Sequence, residues 1–434
     1  MIDIQFIRDN ADLVERKTKE KGYNADIKQL LESDSKRREL QQQVDALRQE
    51  RNELAASMKG QKPSEEQMAR GRELKDRLAD LEQQLTSVES KFNALLKAVP
   101  NMPADDVPVG ASEDDNVESK VWGDKPQFDF EPKNHWELGE QNDWIDKERA
   151  AKVTGSRFAY LKGDLVRLQF ALIQYVFDTL TNQEVIQKLI DDNGLKLEAK
   201  AFIPILPPVM IREEMYDQMD RLEPREDRYH LDGDDDNLWL IGSAEHTLGS
   251  MYANEILPEA SLPLRYIGYS TSFRQEAGTY GKDSEGIIRM HQFDKLEMEV
   301  FSTAETSFDE HLLLIAVQEY MMQQLGIPYH VLQKCTADIG KPDARGVDIE
   351  AWLPGQAKYR ETHTADYMTD YQTRRLKTRV RRTDGSIELA HTNDATAFAM
   401  GRTMVAIMEN YQTAEGRVKI PAVLQPRMGG RTEI

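Results

Sequence analysis

Residues 266–301 read YIGYSTSFRQEAGTYGKDSEGIIRMHQFDKLEMEVF. Two strand-like runs flank a short polar loop. In the second run, alternate positions carry Arg289, His291, Phe293, Lys295, Glu297 and Glu299. The positions between them carry Ile288, Met290, Gln292, Asp294, Leu296, Met298 and Val300. Side chains alternate faces along a strand, so the pattern predicts one mostly apolar face and one dense polar face. In the first run Arg274 and Glu276 are two positions apart and are expected to share a face. A hairpin of this kind implies antiparallel pairing, which predicts an α+β fold rather than a doubly wound sheet.

The chemistry of the polar face is specific. A guanidinium is a planar donor fork suited to phosphate or carboxylate. A phenyl ring offers a stacking surface for a base. A carboxylate accepts from an exocyclic amine or holds an ammonium. Together they read as a nucleotide site without a P-loop. The segment GTYGK, Gly278 to Lys282, resembles such a loop but has Glu276 where the motif requires its first Gly. Spacing alone leaves a second reading open, a salt-bridged two-stranded ribbon.

Composition narrows the class. A chain of 434 residues has room for two or three domains. A net charge of −20 excludes a general nucleic-acid coating protein but not a local basic site. The single Cys335 excludes an internal disulfide and points to a reducing compartment. With no CxxC or HExxH and only eight scattered His, no zinc site is expected. The opening MIDIQFIRDN lacks the apolar core of a signal peptide, and no run approaches the ~18 apolar residues of a membrane span. The expectation is a cytoplasmic enzyme with no membrane partner.

Two heptad-like runs precede the hairpin. Leu40, Val44, Leu47, Arg51, Leu54 and Met58 form one, and Leu74, Leu78, Leu81, Leu85, Val88, Phe92 and Leu95 the other. Gly60, Pro63 and Gly71 between them read as helix breakers. The spacing predicts an antiparallel helical arm over residues 27–98, roughly 45 Å long at ~1.5 Å per residue. From Arg48 to Arg77 eight cations stand against six anions, a net of +2. That fits either an ordinary solvated coiled coil or an arm that grips a nucleic-acid backbone.

Residues 100–120 are Pro-rich, acidic and aperiodic, and read as a boundary. Residues 164–190 read as one long, largely buried helix. A strand is expected over 346–353, with Asp348, Glu350 and Trp352 on one face. FAMGRTMVAIMENY, residues 398–411, reads as a helix with Met404, Ile407, Met408 and Tyr411 in its apolar stripe. Arg402 near its start opposes the helix dipole, which suggests a ligand anion there.

These pieces resemble the bacterial-type seryl-tRNA synthetases, a class II family, over essentially the whole chain. The likeness rests on the arm, on Phe273-Arg274-Gln275-Glu276-Ala277-Gly278 with Arg289-Met290-His291-Gln292-Phe293-Asp294-Lys295-Leu296-Glu297, and on the block from Gly401 to the C-terminal IPAVLQP. It implies an N-terminal tRNA-binding domain, residues 1–105, and a class II catalytic domain, residues 106–434, built on an antiparallel sheet flanked by helices. It implies a homodimer whose first motif centres on Pro207. The implied reaction joins L-serine to ATP as seryl-adenylate and then to tRNA(Ser), with charging of a selenocysteine tRNA left open. Mg²⁺ is the implied metal.

The resemblance also assigns roles. Arg274 would bridge the α-phosphate and the serine carboxylate. Glu276 would accept from the adenine amine and Phe293 stack on the ring. Arg289 and Arg402 would hold the outer phosphates. Gln275, Thr362 and His363 would lie along the ATP. Glu361 and Thr364 would ligate Mg²⁺. Glu245, with Ser243 and Ala244 in the same loop, would hold the serine ammonium. Glu297 and Thr396 would read the serine hydroxyl, with Asp394 close to the substrate's polar atoms. Arg274, Arg402 and Glu361 would carry the catalysis.

The chain departs from the family at several points. Ser243 replaces a Thr, and Thr362 to Tyr367 replaces the usual ISSCSN. His363 there would add a cation if protonated. Asn393 to Ala397 replaces an LNGSG-like run and places the charged Asp394 in it. Asp217 to Asp220 replaces GTGQ. These changes motivate an alternative, a ligase that activates a small amino acid for a non-tRNA acceptor.

Overall fold

The computed structural model describes residues 1–60, 62–233, 236–277 and 285–434. The GTYGK segment lies outside them. The chain divides into two compact units, Met1–Met102 and Pro103–Ile434.

In the first unit two long helices, α1 (Ile27–Ser57) and α2 (Glu65–Ala98), pack side by side. Leu40, Val44 and Leu47 meet Leu74, Leu78 and Leu85 in one buried cluster. At ~1.5 Å per residue, the 31 residues of α1 rise roughly 46 Å. The seam loosens toward the turn: Leu54 and Met58 are only half-buried, and Arg51 is exposed. Gly60 sits at a left-handed φ of 83° between the helices. The second helix begins with a capping box, Gln67 N–H donating to Ser64 Oγ at 3.1 Å and Ser64 N–H to Gln67 Oε1 at 2.9 Å. Gly71, expected as a breaker, lies inside α2 because this cap has already started the helix.

The second unit is built on an eight-stranded sheet. Its strands are β1 (Val117–Trp122), β2 (Ile203–Ile205), β3 (Leu264–Phe273), β4 (Gln292–Ser302), β5 (Tyr329–Gln333), β6 (Arg345–Leu353), β7 (Lys358–Thr369) and β8 (His391–Ala399). The spatial order is β1-β5-β6-β7-β8-β4-β3-β2, antiparallel throughout except for β2 beside β3. One face is apolar. Leu296, Met298, Val300, Val347, Ile349, Ala351, Ala365 and Ala395 join one core with α3 (Asp164–Leu180), α4 (Gln183–Asp192), α5 (Ser307–Leu325) and α6 (Met400–Asn410). The opposite face carries the polar side chains.

Three expectations need correction. The segment 164–190 is two helices, because Asn182 ends the first run and caps the second, its Oδ1 accepting from Glu184 N–H at 2.9 Å. The last helix starts at Met400, since Phe398 and Ala399 still belong to β8. Arg274, Glu276, Arg289 and His291 lie beyond the paired strands. Glu276 has a left-handed φ of 54°, so strand alternation does not govern its face. It meets Arg289 instead, Nη1 donating to Oε2 at 2.6 Å.

Candidate active site

The polar face is organised by strand register. Lys295 stands opposite Ser270, Glu297 opposite Gly268, and Glu299 opposite Tyr266. On the other side of β4, Thr396 faces Glu297 and Asp394 faces Glu299. Asp366 follows beyond Asp394. Gly268 has no Cβ, and one there would lie 2.7 Å from Leu248 Cδ1 and 3.3 Å from Ala244 Cβ. Its absence lets the turn carrying Ser243, Ala244 and Glu245 settle onto the sheet. Glu245, Glu297 and Asp394 consequently bring carboxylate oxygens within 4.8 Å of one another, all buried.

Two cations serve these acids. Lys295 pairs with Glu297 and donates to Ser243 Oγ at 3.2 Å. Arg221 Nε lies 2.7 Å from Glu245 Oε1, and its Nη2 lies 3.2 Å from Asp343 Oδ1 and 3.5 Å from Asp394 Oδ2. Burial would raise Glu245, but Arg221, Lys295 and Arg274 hold it below the ordinary carboxylate range. Burial pushes Glu297 up despite Lys295, and burial with the charge of Glu245 pushes Asp394 and Glu299 well above. Glu245 is therefore held ionised, and Arg221 pulls Asp394 down against the burial that raises it. The sequence reading did not single out Arg221. Its only signal is position, directly after the departure at Asp217 to Asp220.

A cationic end adjoins this acidic one. Arg274 Nε donates to Gly242 O at 3.1 Å, and its guanidinium lies 5.4 Å from the Phe293 ring centre. Arg402, in the first turn of α6, reaches Glu361 Oε1 at 2.8 Å and Glu361 O at 2.9 Å. Arg274, Glu276, Arg289, Phe293, Lys295, Glu361, Thr362, Thr364, Thr396 and Arg402 line one cavity of about 110 Å³. Arg289, Glu361, Thr364 and Arg402 also line a polar cavity of about 630 Å³ with Arg221, Lys334, Asp343, Asp348 and Asp366. An adjoining cavity of about 310 Å³, lined by both polar and apolar groups, also touches Phe293. Its one acid, Asp294, already accepts from Gln169, Thr271 and Tyr269.

The candidate metal ligands share a face for a reason that alternation does not predict. Residues three apart on a regular strand point to opposite faces. Here Asp348 pairs with Thr364, Ile349 with His363, and Glu350 with Glu361, leaving Thr362 as an extra residue in a bulge. The bulge turns Glu361 and Thr364 to the same side. Their oxygens, with Asp348 opposite Thr364, are the donor type that Mg²⁺ prefers. Arg402 and Lys334 hold Glu361 below the ordinary carboxylate value. Burial pushes Asp348 up to about 7 against the pull of Lys334.

The bulge also fixes His363, and here the expectation fails. Its backbone pairs with Ile349, on the core side of the sheet, and its ring centre lies 5.5 Å from that of Phe398. Burial lowers its pKa to about 3, so it adds no cation. Thr362 donates to Ile349 O at 3.1 Å. Gln275 is exposed and donates to Arg228 O at 2.7 Å.

Residues 1–103 match the family model of the seryl-tRNA synthetase N-terminal domain. Residues 229–411 match that of the tRNA synthetase class II core domain (G, H, P, S and T). The chain is 40% identical over 439 residues to a serine–tRNA ligase of Geotalea uraniireducens (strain Rf4), each chain covered in full at 100%. The chain belongs to the serine–tRNA ligase family. It is a ligase, a class II aminoacyl-tRNA synthetase. A seryl-tRNA synthetase from Pyrococcus horikoshii, solved in complex with ATP, has the same architecture, with a TM-score of 0.87 at 37% identity over 100% of this chain and 99% of that one. A cytoplasmic serine–tRNA ligase from Naegleria fowleri, solved with AMP, gives 0.85 at 28% identity over 100% and 98%.

Proposed function

We propose that this site joins L-serine to ATP, giving seryl-adenylate and pyrophosphate, and passes the seryl group to the 3′-terminal ribose of tRNA(Ser). The observation that carries the reading is the meeting of two opposite ends: three buried carboxylates beside a cluster of arginines, with Phe293 among them. The carboxylates suit an α-ammonium and a hydroxyl. The arginines suit phosphates, and Phe293 suits a base.

In the first step the serine carboxylate attacks the α-phosphorus and the bond to pyrophosphate breaks. Both partners are anionic at the reacting atoms. The protein's task is alignment and the spreading of charge. Arg274 lies between the two ends and would touch both the carboxylate and the α-phosphate. Arg289 and Arg402 would hold the outer phosphates, and Glu276 would accept from the adenine amine. Glu361 and Thr364 would hold Mg²⁺, which would supply further positive charge to the phosphate oxygens. Glu245, ionised and fixed by Arg221, would take the serine ammonium. Glu297 and Thr396 would bond the hydroxyl, a contact that alanine and glycine leave unmade. In the second step a ribose hydroxyl attacks the seryl carbonyl and AMP leaves.

The two N-terminal helices would grip the tRNA, and a ligase with a small carrier as acceptor has no need of them. A homodimer formed around Pro207 is supported by Ile203, Leu206 and Met210, large apolar side chains left exposed at that edge. A cytoplasmic location fits the single free Cys335. Among the described residues, no helix is long and apolar enough to cross a membrane. Purified protein should catalyse serine-dependent exchange of pyrophosphate into ATP; preference for threonine, alanine or glycine would sink the serine assignment.

A further inference from the structure

We propose that Arg221 is a positioning residue of the amino-acid pocket, bridging Glu245 to Asp394 and Asp343 so that Glu245 and Asp394 act as one ammonium-accepting unit. The inference rests on reading Glu245, Glu297 and Asp394 as the serine pocket.

The geometry is particular. Arg221 Nε lies 2.7 Å from Glu245 Oε1, an ion pair in which the N–H is not directed at that oxygen. The Nη2 of the same guanidinium lies 3.2 Å from Asp343 and 3.5 Å from Asp394. One planar guanidinium thus pairs with three carboxylates, through Nη2 to Asp343 and Asp394 and through Nε with Glu245. The turn beneath Glu245 has only four helical residues, Glu245–Leu248. His246 Nε2 lies 3.6 Å from the same oxygen, and burial keeps that imidazole neutral, while Lys295 and Arg274 add their charge at Glu245. Among the described residues, Arg221 makes the ion pair at 2.7 Å that orients Glu245.

The sequence positions support the same link. Asp394 lies on β8 two residues before Thr396. Arg221 follows Asp217 to Asp220 in the chain. The two sites are 173 residues apart in the chain, yet their side chains meet. An extra buried carboxylate beside Glu245 would repel it unless a cation came with it. Arg221 is that cation.

The test is pyrophosphate exchange by full-length protein carrying Arg221→Leu, Arg221→Lys, or Arg221→Leu with Asp394→Asn. The serine KM of Arg221→Leu is expected to rise at least ~30-fold, with the ATP KM changed less than ~3-fold. Arg221→Lys should fall between Arg221→Leu and the unmodified protein. Removing the second charge with Asp394→Asn should recover a large part of the loss. An unchanged serine KM, an equal rise in both KM values, or no recovery in the double variant would overturn the proposal. If Arg221→Leu does not fold, Arg221→Lys decides alone, and an unchanged serine KM there overturns it. Loss of serine dependence in the unmodified protein is a distinct result, and it would remove the pocket reading along with the inference.

Discussion

At the scale of single residues, burial decides which groups titrate. His363 belongs by sequence to the metal-binding stretch, yet its ring packs against Phe398 and its Nδ1 lies 2.8 Å from Thr362 Oγ1. Its folded pKa of about 3 is below the ordinary imidazole value of 6.5. The folded state therefore binds fewer protons than the unfolded one between these values. Its stability is fully present above pH 6.5 and is lost as pH falls toward 3. His311, lowered to about 3 by burial, adds to the same slope. Chemical denaturation of His363→Gln between pH 7 and 4 should show a shallower loss of stability than the unmodified protein. Identical slopes would mean that the ring is not held neutral. Residue type was legible here and protonation state was not, since desolvation depends on neighbours from other strands.

At the scale of elements, the bulge at Thr362 has the largest consequence. A one-residue shift moves side chains to the other face of a strand. Inserting one residue between Ile349 and Glu350 would give Thr362 a partner, restore regular alternation and put Glu361 and Thr364 on opposite faces. Ala365, Asp366 and Tyr367 are anchored by pairing with β8, so the flip would fall on the Lys358–Glu361 end. Exchange activity should drop at least ~100-fold while the far-ultraviolet circular dichroism stays close to that of the intact protein. Retained activity would show that the shared face is not needed. The alternation of β4 was legible, because Leu296, Met298 and Val300 recur at period two. The bulge was not, because nothing in Thr362-His363-Thr364 marks one residue as unpaired.

At the scale of the whole molecule, the two units have separate hydrophobic clusters. The α1–α2 seam is built from its own leucines and Val44, and the sheet with its helices forms another core. Removing residues 27–98 should therefore leave serine-dependent pyrophosphate exchange within ~3-fold of the full chain and abolish transfer to tRNA(Ser). Undiminished aminoacylation would overturn the assigned role of the helical pair.

The sequence by itself determined what neighbouring residues encode: the heptad seam from Leu40 to Phe92, the two-faced strand from Gln292 to Val300, and the acidic, basic and aromatic inventory of the site. These follow from helical and strand periodicity, which is local. Only the tertiary structure decided which groups meet. Glu245 reaches Glu297 and Asp394 because Gly268 leaves room for its turn, and Arg221 finds Asp394 from 173 residues away. Such meetings depend on packing and on register between strands distant in the chain, and no window of sequence contains them.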